Sequence, residues 1–269
     1  MAETIANILS IAGSDPSGGA GIQADLKTFA ARGTYGMAVL TALTAQNTQG
    51  VSGVHLVPPA FVAAQIADVF GDIRVDAVKI GMIASAEIAE AVADALQNHR
   101  GAPVVLDPVM VAKGGASLLA QEAVAALTRR LLPLAAVLTP NLPEAAALLG
   151  EREAGDRQGM EDQAKRLLSL GPKAVLLKGG HLAGGESPDV LATADGVRWF
   201  EGVRVLTRNT HGTGCSLSSA IAAELGKGRR LADAVAEAKS FIAGAVRASD
   251  TLTVGAGHGP LHHFHALWA

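Results

Sequence analysis

The residues best suited to chemistry lie in one run, Asn209-Thr210-His211-Gly212-Thr213-Gly214-Cys215, which passes directly into the helical spacing Leu217, Ala220, Ile221, Leu225. Glycines at a helix start let the backbone turn sharply and a ligand come close, while the unpaired NH groups and the positive end of the helix dipole attract an anion. The chain's single cysteine falls in the first turn, where the same field favours a thiolate over a thiol. The run predicts an anion site beside a nucleophile or base. The alternative is a capped helix with an inert cysteine, and the rest of the chain has to decide.

Further polar groups sit at the ends of short apolar runs. They are Gly13-Ser14-Asp15-Pro16-Ser17-Gly18-Gly19, Gln46-Asn47, Lys79-Ile80-Gly81-Met82, Asp107-Pro108-Val109, Thr139-Pro140-Asn141-Leu142-Pro143-Glu144 and Lys178-Gly179-Gly180-His181. Two carboxylates, an amide and a lysine at one rim suit a metal-bound polyphosphate, because carboxylates hold Mg²⁺ directly or through water and lysine neutralises phosphate charge. Taken singly, an Asp-Pro or Asn-x-Pro after a strand is more often a cap or turn. Six polar strand ends at one rim argue for a site.

The elements that must bring them together alternate. Strands are predicted at 5–12, 37–43, 77–80, 104–106, 136–138 and 174–177, with helices at 20–31, 59–70, 87–97, 118–132 and 160–170. Strands this short and this apolar belong in a sheet covered on both faces, so the fold class is α/β, doubly wound and largely parallel, with helices on both sides. A hairpin over 189–193 and 197–205 turns at Asp195-Gly196, and two long helices run from Gly214 to about Ala248. Ligands then bind beyond the carboxyl ends of the strands.

Composition narrows the function. A chain of 269 residues suits a single α/β domain. With 22 basic and 25 acidic residues it lacks the basic field that nucleic acid or a membrane surface demands. The apolar stretch 5–11 is too short for a signal segment, and one cysteine forms no internal disulfide, so a cytoplasmic enzyme is expected. Gly19-Ala20-Gly21-Ile22-Gln23-Ala24 matches a dinucleotide fingerprint, but no acidic residue lies between Asp25 and Asp68 to hold a ribose, and no Gly-Lys-Ser/Thr makes the loop a P-loop. His262, His263 and His265 lack a second ligand group at metal spacing and are expected on a terminal helix as packed or solvated imidazoles.

Taken together, Gly13-Ser14-Asp15-Pro16-Ser17-Gly18-Gly19-Ala20-Gly21-Ile22-Gln23-Ala24-Asp25, Thr41-Ala42-Leu43-Thr44-Ala45-Gln46-Asn47-Thr48, Thr139-Pro140-Asn141-Leu142-Pro143-Glu144, Lys178-Gly179-Gly180-His181 and Thr210-His211-Gly212-Thr213-Gly214-Cys215 resemble the hydroxymethylpyrimidine and phosphomethylpyrimidine kinases of bacterial thiamine synthesis, members of the ribokinase-like superfamily. The resemblance spans almost the whole chain. It implies ATP and Mg²⁺ as cofactors, two successive phosphorylations of a hydroxymethylpyrimidine, and a homodimer. It places the pyrimidine against Gly13 and Gly21, with Asp25 and Gln46 pairing its polar edge and Met82 and Val109 as walls. Asp107 and Glu144 would organise the metal. Asn141, Lys178, Thr210 and Thr213 would attend the nucleotide phosphates, and Gly212, Gly214, Lys178 and Cys215 would serve catalysis, with Lys239 a weaker phosphate contact. Cys215 takes the position where many sugar kinases of the superfamily carry an aspartate base. The resemblance leaves two other functions open: a pyridoxine or pyridoxal kinase, and a pyrimidine-binding regulator without turnover.

Overall fold

The computed structural model describes residues 4–99, 101–110 and 121–268. Strand β1 (Asn7–Ala12) runs through a glycine-rich loop into helix α1 (Gly21–Ala31) and returns as β2 (Tyr35–Leu40). A small antiparallel pair follows, β3 (Ala42–Asn47) and β4 (Gly50–Leu56). Then come α2 (Pro59–Asp72), β5 (Ala77–Ile80), α3 (Ala86–Gln97), β6 (Val104–Leu106) and α4 (Gln121–Ala126). A π-helical turn (Leu127–Leu131) and a 3-10 turn (Leu132–Leu134) lead to β7 (Val137–Leu138), α5 (Leu142–Leu149), α6 (Arg157–Leu168) and β8 (Ala174–Lys178). The hairpin β9 (Asp189–Thr193) and β10 (Gly196–Phe200) precedes α7 (Thr213–Gly226) and α8 (Leu231–Arg247).

Eight strands form one sheet in the order β10-β9-β8-β7-β6-β5-β1-β2. From β2 to β8 the neighbours pair in parallel, and β9 runs antiparallel to β8 and β10. Successive residues of a strand face opposite ways, and each face here has its own core. Leu9, Ile11, Val78 and Leu106 pack with Ile66, Ile88 and Val92 on one side. Ile8, Ala77 and Val105 pack with Phe29, Ile221 and Phe241 on the other. Burial on both faces is why these strands carry no polar alternation, and the doubly wound reading of the sequence agrees with the fold. The chain leaves β1 for β2 on one side and later takes up β5 on the other. Their loops part there, opening a crevice at the carboxyl ends.

Three local expectations are corrected, and the cap expected of an Asn-x-Pro after a strand is found at Asn141. The run 37–43 is two strands in two sheets, because Thr41 breaks the path: its NH donates to the Ala12 carbonyl at 3.1 Å and its hydroxyl to the Met82 carbonyl at 2.7 Å. Of the helix expected over 118–132, residues 118–120 lie outside the described residues, and the rest passes from α4 into a wider π turn and then a 3-10 turn that contains Pro133, whose missing NH stops an α-helical continuation. The segment 139–144 starts α5 through a capping box, with Asn141 Oδ1 accepting the Glu144 NH and Glu144 Oε2 accepting the Asn141 NH, both at 2.8 Å. The expected terminal helix is a set of turns instead, held to α8 by the His262 NH donating to the Ala245 carbonyl at 3.1 Å. Elsewhere boundaries differ by a few residues, the largest shift being β10, which stops at Phe200.

His263 in this tail is buried with Nε2 at 2.8 Å from Ser216 Oγ. Burial, then the charges of Lys27 and the neighbouring histidines, push its imidazole from 6.5 down to about 4. The unfolded chain therefore takes up a proton near pH 6.5 that the folded chain refuses until pH 4. Stability is complete above the unfolded value and is lost as the pH falls through this window. Urea unfolding should show about 2 kcal/mol less stability from this group at pH 5 than at pH 7. His263→Gln is expected to flatten that limb, and an unchanged slope would remove His263 as its origin.

Candidate active site

The carboxyl ends of β1, β5, β6, β7 and β8 and the start of α7 open into one cleft of about 1470 Å³. It is lined by Gly13, Gly21, Gln46, Met82 and Val109 at one end, and by Asp107, Asn141, Glu144, Lys178, Thr210, Gly212, Thr213, Gly214 and Cys215 toward the other. Asp25 is the one expected site residue that does not reach the cleft.

Polar strand ends converge on Lys178. Its Nζ lies 3.0 Å from Asp107 Oδ1 and 4.0 Å from Glu144 Oε2. Asp107 is further held by Thr139 Oγ1 at 3.3 Å and by Ser218 Oγ, which donates to Oδ2 at 3.3 Å. Burial works against the Lys178 charge, but Asp107 and then Glu144 outweigh it and hold the ammonium above its ordinary pKa. Burial raises the Glu144 carboxyl to about 7, with Lys178 opposing and Asp107 adding to the rise. Two carboxylates thus share one lysine, and the cluster has room for a further cation or for an anion that draws the lysine away.

The start of α7 faces this cluster. Gly212 caps the helix at φ +78, a left-handed conformation that a side chain resists. It packs so closely on the N-terminal loop that a Cβ there would sit 1.8 Å from the Gly19 carbonyl oxygen. At Gly214 a Cβ would lie 3.2 Å from Lys178 Nζ, filling the gap between the helix NH groups and the lysine. Thr213 donates its hydroxyl to the Thr210 carbonyl at 2.8 Å, closing the turn that presents those NH groups. Asn141 is committed to capping α5, and Lys239 is tied to Asp189 Oδ2 at 2.5 Å and the Ser187 carbonyl at 2.8 Å, so its charge is already spent.

Cys215 lies in the first turn of α7 as expected, but the expected thiolate is corrected. Burial drives its thiol up to about 11; Lys79 opposes this, while Asp25 and Asp107 add to the rise. The field of the helix is present, but desolvation and two nearby carboxylates outweigh it.

The opposite end of the cleft is built from loops. Gly13 lets Met82 approach so closely that a Cβ would lie 2.1 Å from its Cε. Alternation along β3 puts Thr44 and Gln46 on one face, and both line the cleft; the register shift beside them leaves Ser52 of β4 as the extra residue. Asp15 crosses the cleft wall to His211, with Oδ2 2.7 Å from Nε2. Burial works against its charge, yet hydrogen bonds from His211 and Ser17 hold the Asp15 carboxyl down at about 2.

Asp25, expected against a pyrimidine, is fully buried beneath the cleft floor. Its carboxylate receives Ser10 Oγ at 2.6 Å, Ser219 Oγ at 2.7 Å and Lys79 Nζ at 2.9 Å to each oxygen. Sequence reasoning missed Lys79 as a member of this group, although a lysine inside the apolar strand Ala77-Val78-Lys79-Ile80 signals a buried partner. It also missed the Asp15–His211 pair, whose members lie 196 positions apart.

Residues 15–262 match the model of a known family, phosphomethylpyrimidine kinase. The chain belongs to this family. It is 56% identical to the hydroxymethylpyrimidine/phosphomethylpyrimidine kinase of Escherichia coli over 97% of this chain and 98% of that protein. It is 54% identical to the thiamine biosynthesis bifunctional protein ThiED of Geobacter sulfurreducens over 97% of this chain and 52% of that longer protein. Among solved structures, the pyridoxal kinase of Staphylococcus aureus in complex with AMP-PCP and pyridoxal superposes with a TM-score of 0.89, at 32% identity, over 98% of this chain and 95% of that one. The ribokinase-like architecture expected for the family is the one found.

Gly212→Ala should combine left-handed strain with a backbone clash and cost more than about 2 kcal/mol of stability. Thermal unfolding measures it. A loss near that of an exposed loop glycine would mean the two loops are not locked together.

Proposed function

We propose that the chain phosphorylates 4-amino-5-hydroxymethyl-2-methylpyrimidine with ATP, first to the monophosphate and then to the diphosphate, as a single kinase domain in thiamine biosynthesis. The observation that carries the reading is Gln46, set by the alternation of β3 into the same cleft as Lys178 and the glycine-rich start of α7. An amide pairs an aminopyrimidine edge, and a lysine facing helix NH groups takes a phosphoryl group.

Phosphoryl transfer passes through a loose transition state, so positioning and charge neutralisation supply most of the rate. Met82 and Val109 wall the ring, Gln46 sets its polar edge, and Gly212 and Gly214 offer backbone NH groups to the transferred group. Lys178, released from Asp107 and Glu144 by the nucleotide's own charge, neutralises phosphate oxygens. Among the described residues no three His, Cys, Asp or Glu side chains form a metal cage. Magnesium on a nucleotide needs only one or two carboxylates, with water and phosphate completing its shell, and Asp107 and Glu144 fit that share. When bound there, the ion would neutralise charge on the phosphates.

Cys215 is the group placed to take the alcohol proton in the first transfer. Its thiol at about 11 is overwhelmingly protonated at neutral pH, so the thiolate fraction rises with pH across the whole neutral and mildly alkaline range. The second transfer starts from a phosphate whose second pKa is about 6, and it needs no base. The pyridoxal-bound relative of the same fold supports vitamin B6 alcohols as a second substrate class. We also infer a cytoplasmic homodimer: Tyr35, Leu43, Val54, Leu56 and Phe61 are large apolar side chains left exposed within residues 35–61. Light scattering showing only a monomer at working concentration would remove the dimer.

Mass analysis of the products from ATP, magnesium and hydroxymethylpyrimidine tests the function directly. Monophosphate followed by diphosphate is expected. Absence of both, with retained binding, would favour a pyrimidine-binding regulator, and preferred turnover of pyridoxal in competition would favour the B6 reading. Cys215→Ala should slow the first transfer by about a hundredfold and flatten its rise with pH, while leaving the second within a few-fold. Equal losses in both steps would remove Cys215 as the base.

A further inference from the structure

The amide of Gln46 sits between Thr44 and His211, with Oε1 3.2 Å from Thr44 Oγ1 and Nε2 3.5 Å from His211 Nε2. The two ends of an amide have nearly the same shape, and their partners decide which is which. The partners here are constrained from outside the pair. Asp15 receives four hydrogens: Oδ1 takes the Ser17 NH at 2.9 Å and the Ser17 hydroxyl at 2.7 Å, and Oδ2 takes the Ala20 NH at 2.8 Å and His211 Nε2 at 2.7 Å. A carboxylate so loaded has nothing to donate. His211 Nε2 therefore carries a hydrogen, whatever the charge of the ring, and cannot accept one from an amide NH₂.

Thr44 is constrained in the same way. Its one hydroxyl hydrogen goes to the Ser14 carbonyl at 2.9 Å, leaving lone pairs toward Gln46. An oxygen beside Thr44 and an NH₂ beside His211 would set acceptor against acceptor and donor against donor. Turning the amide over removes both conflicts: Nε2 donates to Thr44 Oγ1, and Oε1 shares the edge of the His211 N–H that is given chiefly to Asp15. In this sense Gln46 still has one N–H and one carbonyl lone pair free for a ligand.

We propose that Thr44, His211 and Asp15 are positioning residues that fix the polarity of the Gln46 amide, acceptor on the His211 side and donor on the Thr44 side, and so select a heterocycle edge with an amino donor beside a ring-nitrogen acceptor. The exchanged edge, a carbonyl beside a ring N–H, is the one it rejects. A freely turning amide would accept either edge equally. A fixed one meets the exchanged edge only by breaking its contact with Thr44 and opposing the His211 N–H with its own NH₂. The identity of the ligand rests on the function proposed above; the polarity of the amide does not.

Two measurements separate these. In the ligand-free, isotope-labelled protein, the Gln46 side-chain NH₂ should show nuclear Overhauser contacts to the Thr44 methyl group and none to the His211 ring protons; the reverse pattern overturns the proposal. In kinetics, kcat/KM is compared for 4-amino- and 4-oxo-5-hydroxymethyl-2-methylpyrimidine. The unaltered enzyme should prefer the amino compound, Thr44→Val should narrow that preference about tenfold, mostly through KM, and Thr44→Ser, which keeps the hydroxyl, should restore it. An unchanged preference in Thr44→Val overturns the proposal even if both rates fall. If the unaltered enzyme phosphorylates neither compound, the proposed function fails, while the nuclear Overhauser contacts still decide the polarity.

Discussion

A charge inside a two-faced sheet has to be paired, and the Lys79–Asp25 contact is where this fold meets that demand. Lys79 projects from β5, Asp25 from α1, and the serines that complete the carboxylate's shell come from β1 and α7. Four elements therefore meet at one buried point. Removing either charge alone leaves the other without water or partner, a state that costs several kcal/mol. The burden of satisfying this pair restricts how α1 and α7 can pack on the strands. Ser219 lies one helical turn beyond Cys215 on the same face of α7. Seating Ser219 on Asp25 sets the height of the helix start, and with it Gly212, Gly214 and Cys215 at the cleft.

The same pair shapes the electrostatics above it. Lys79 pulls the Cys215 thiol toward ionisation, while Asp25 and Asp107 push it back. The buried lysine is largely cancelled by its own partner, so desolvation decides and the thiol stays protonated. At the other end Lys178 is shared by two carboxylates. The cleft lysines Lys79, Lys178 and Lys239 are thus each held by a carboxylate of the protein. On the proposed reading this preorganises the site for phosphate without leaving a bare charge in a half-buried cavity.

Much of this was legible in the sequence because strand ends in a parallel sheet share one rim. Apolar runs located the strands, and the polar residue after each located the wall, which is how Asp107, Asn141, Glu144 and Lys178 emerged together. The glycines before Cys215 likewise announced the turn into α7. What escaped was long-range and electrostatic. Asp25 is a polar residue of α1 just beyond the glycine-rich loop, and nothing local shows that its side chain points under the floor toward Lys79. The helix-start rule gave Cys215 a lowered pKa, but the rule cannot count carboxylates arriving from other elements. Thr41 ended β2 through contacts with Ala12 and Met82, both remote in the chain, so the expected strand 37–43 ran from β2 into β3, and β4 carried no expected strand at all. Pairing of Asp15 with His211 was equally invisible to any local pattern.

The dependence of the fold on the buried pair is open to a double-mutant cycle in urea. Asp25→Asn, Lys79→Met and the double variant should be compared with the unaltered chain. Asp25→Asn alone is expected to cost about 3 to 5 kcal/mol, because it strands the Lys79 charge. Lys79→Met alone should cost a similar amount, and a double variant no less stable than Asp25→Asn then gives a coupling energy of at least about 3 kcal/mol. Losses that simply add would contradict the account, since the two residues would then be stabilising the fold independently.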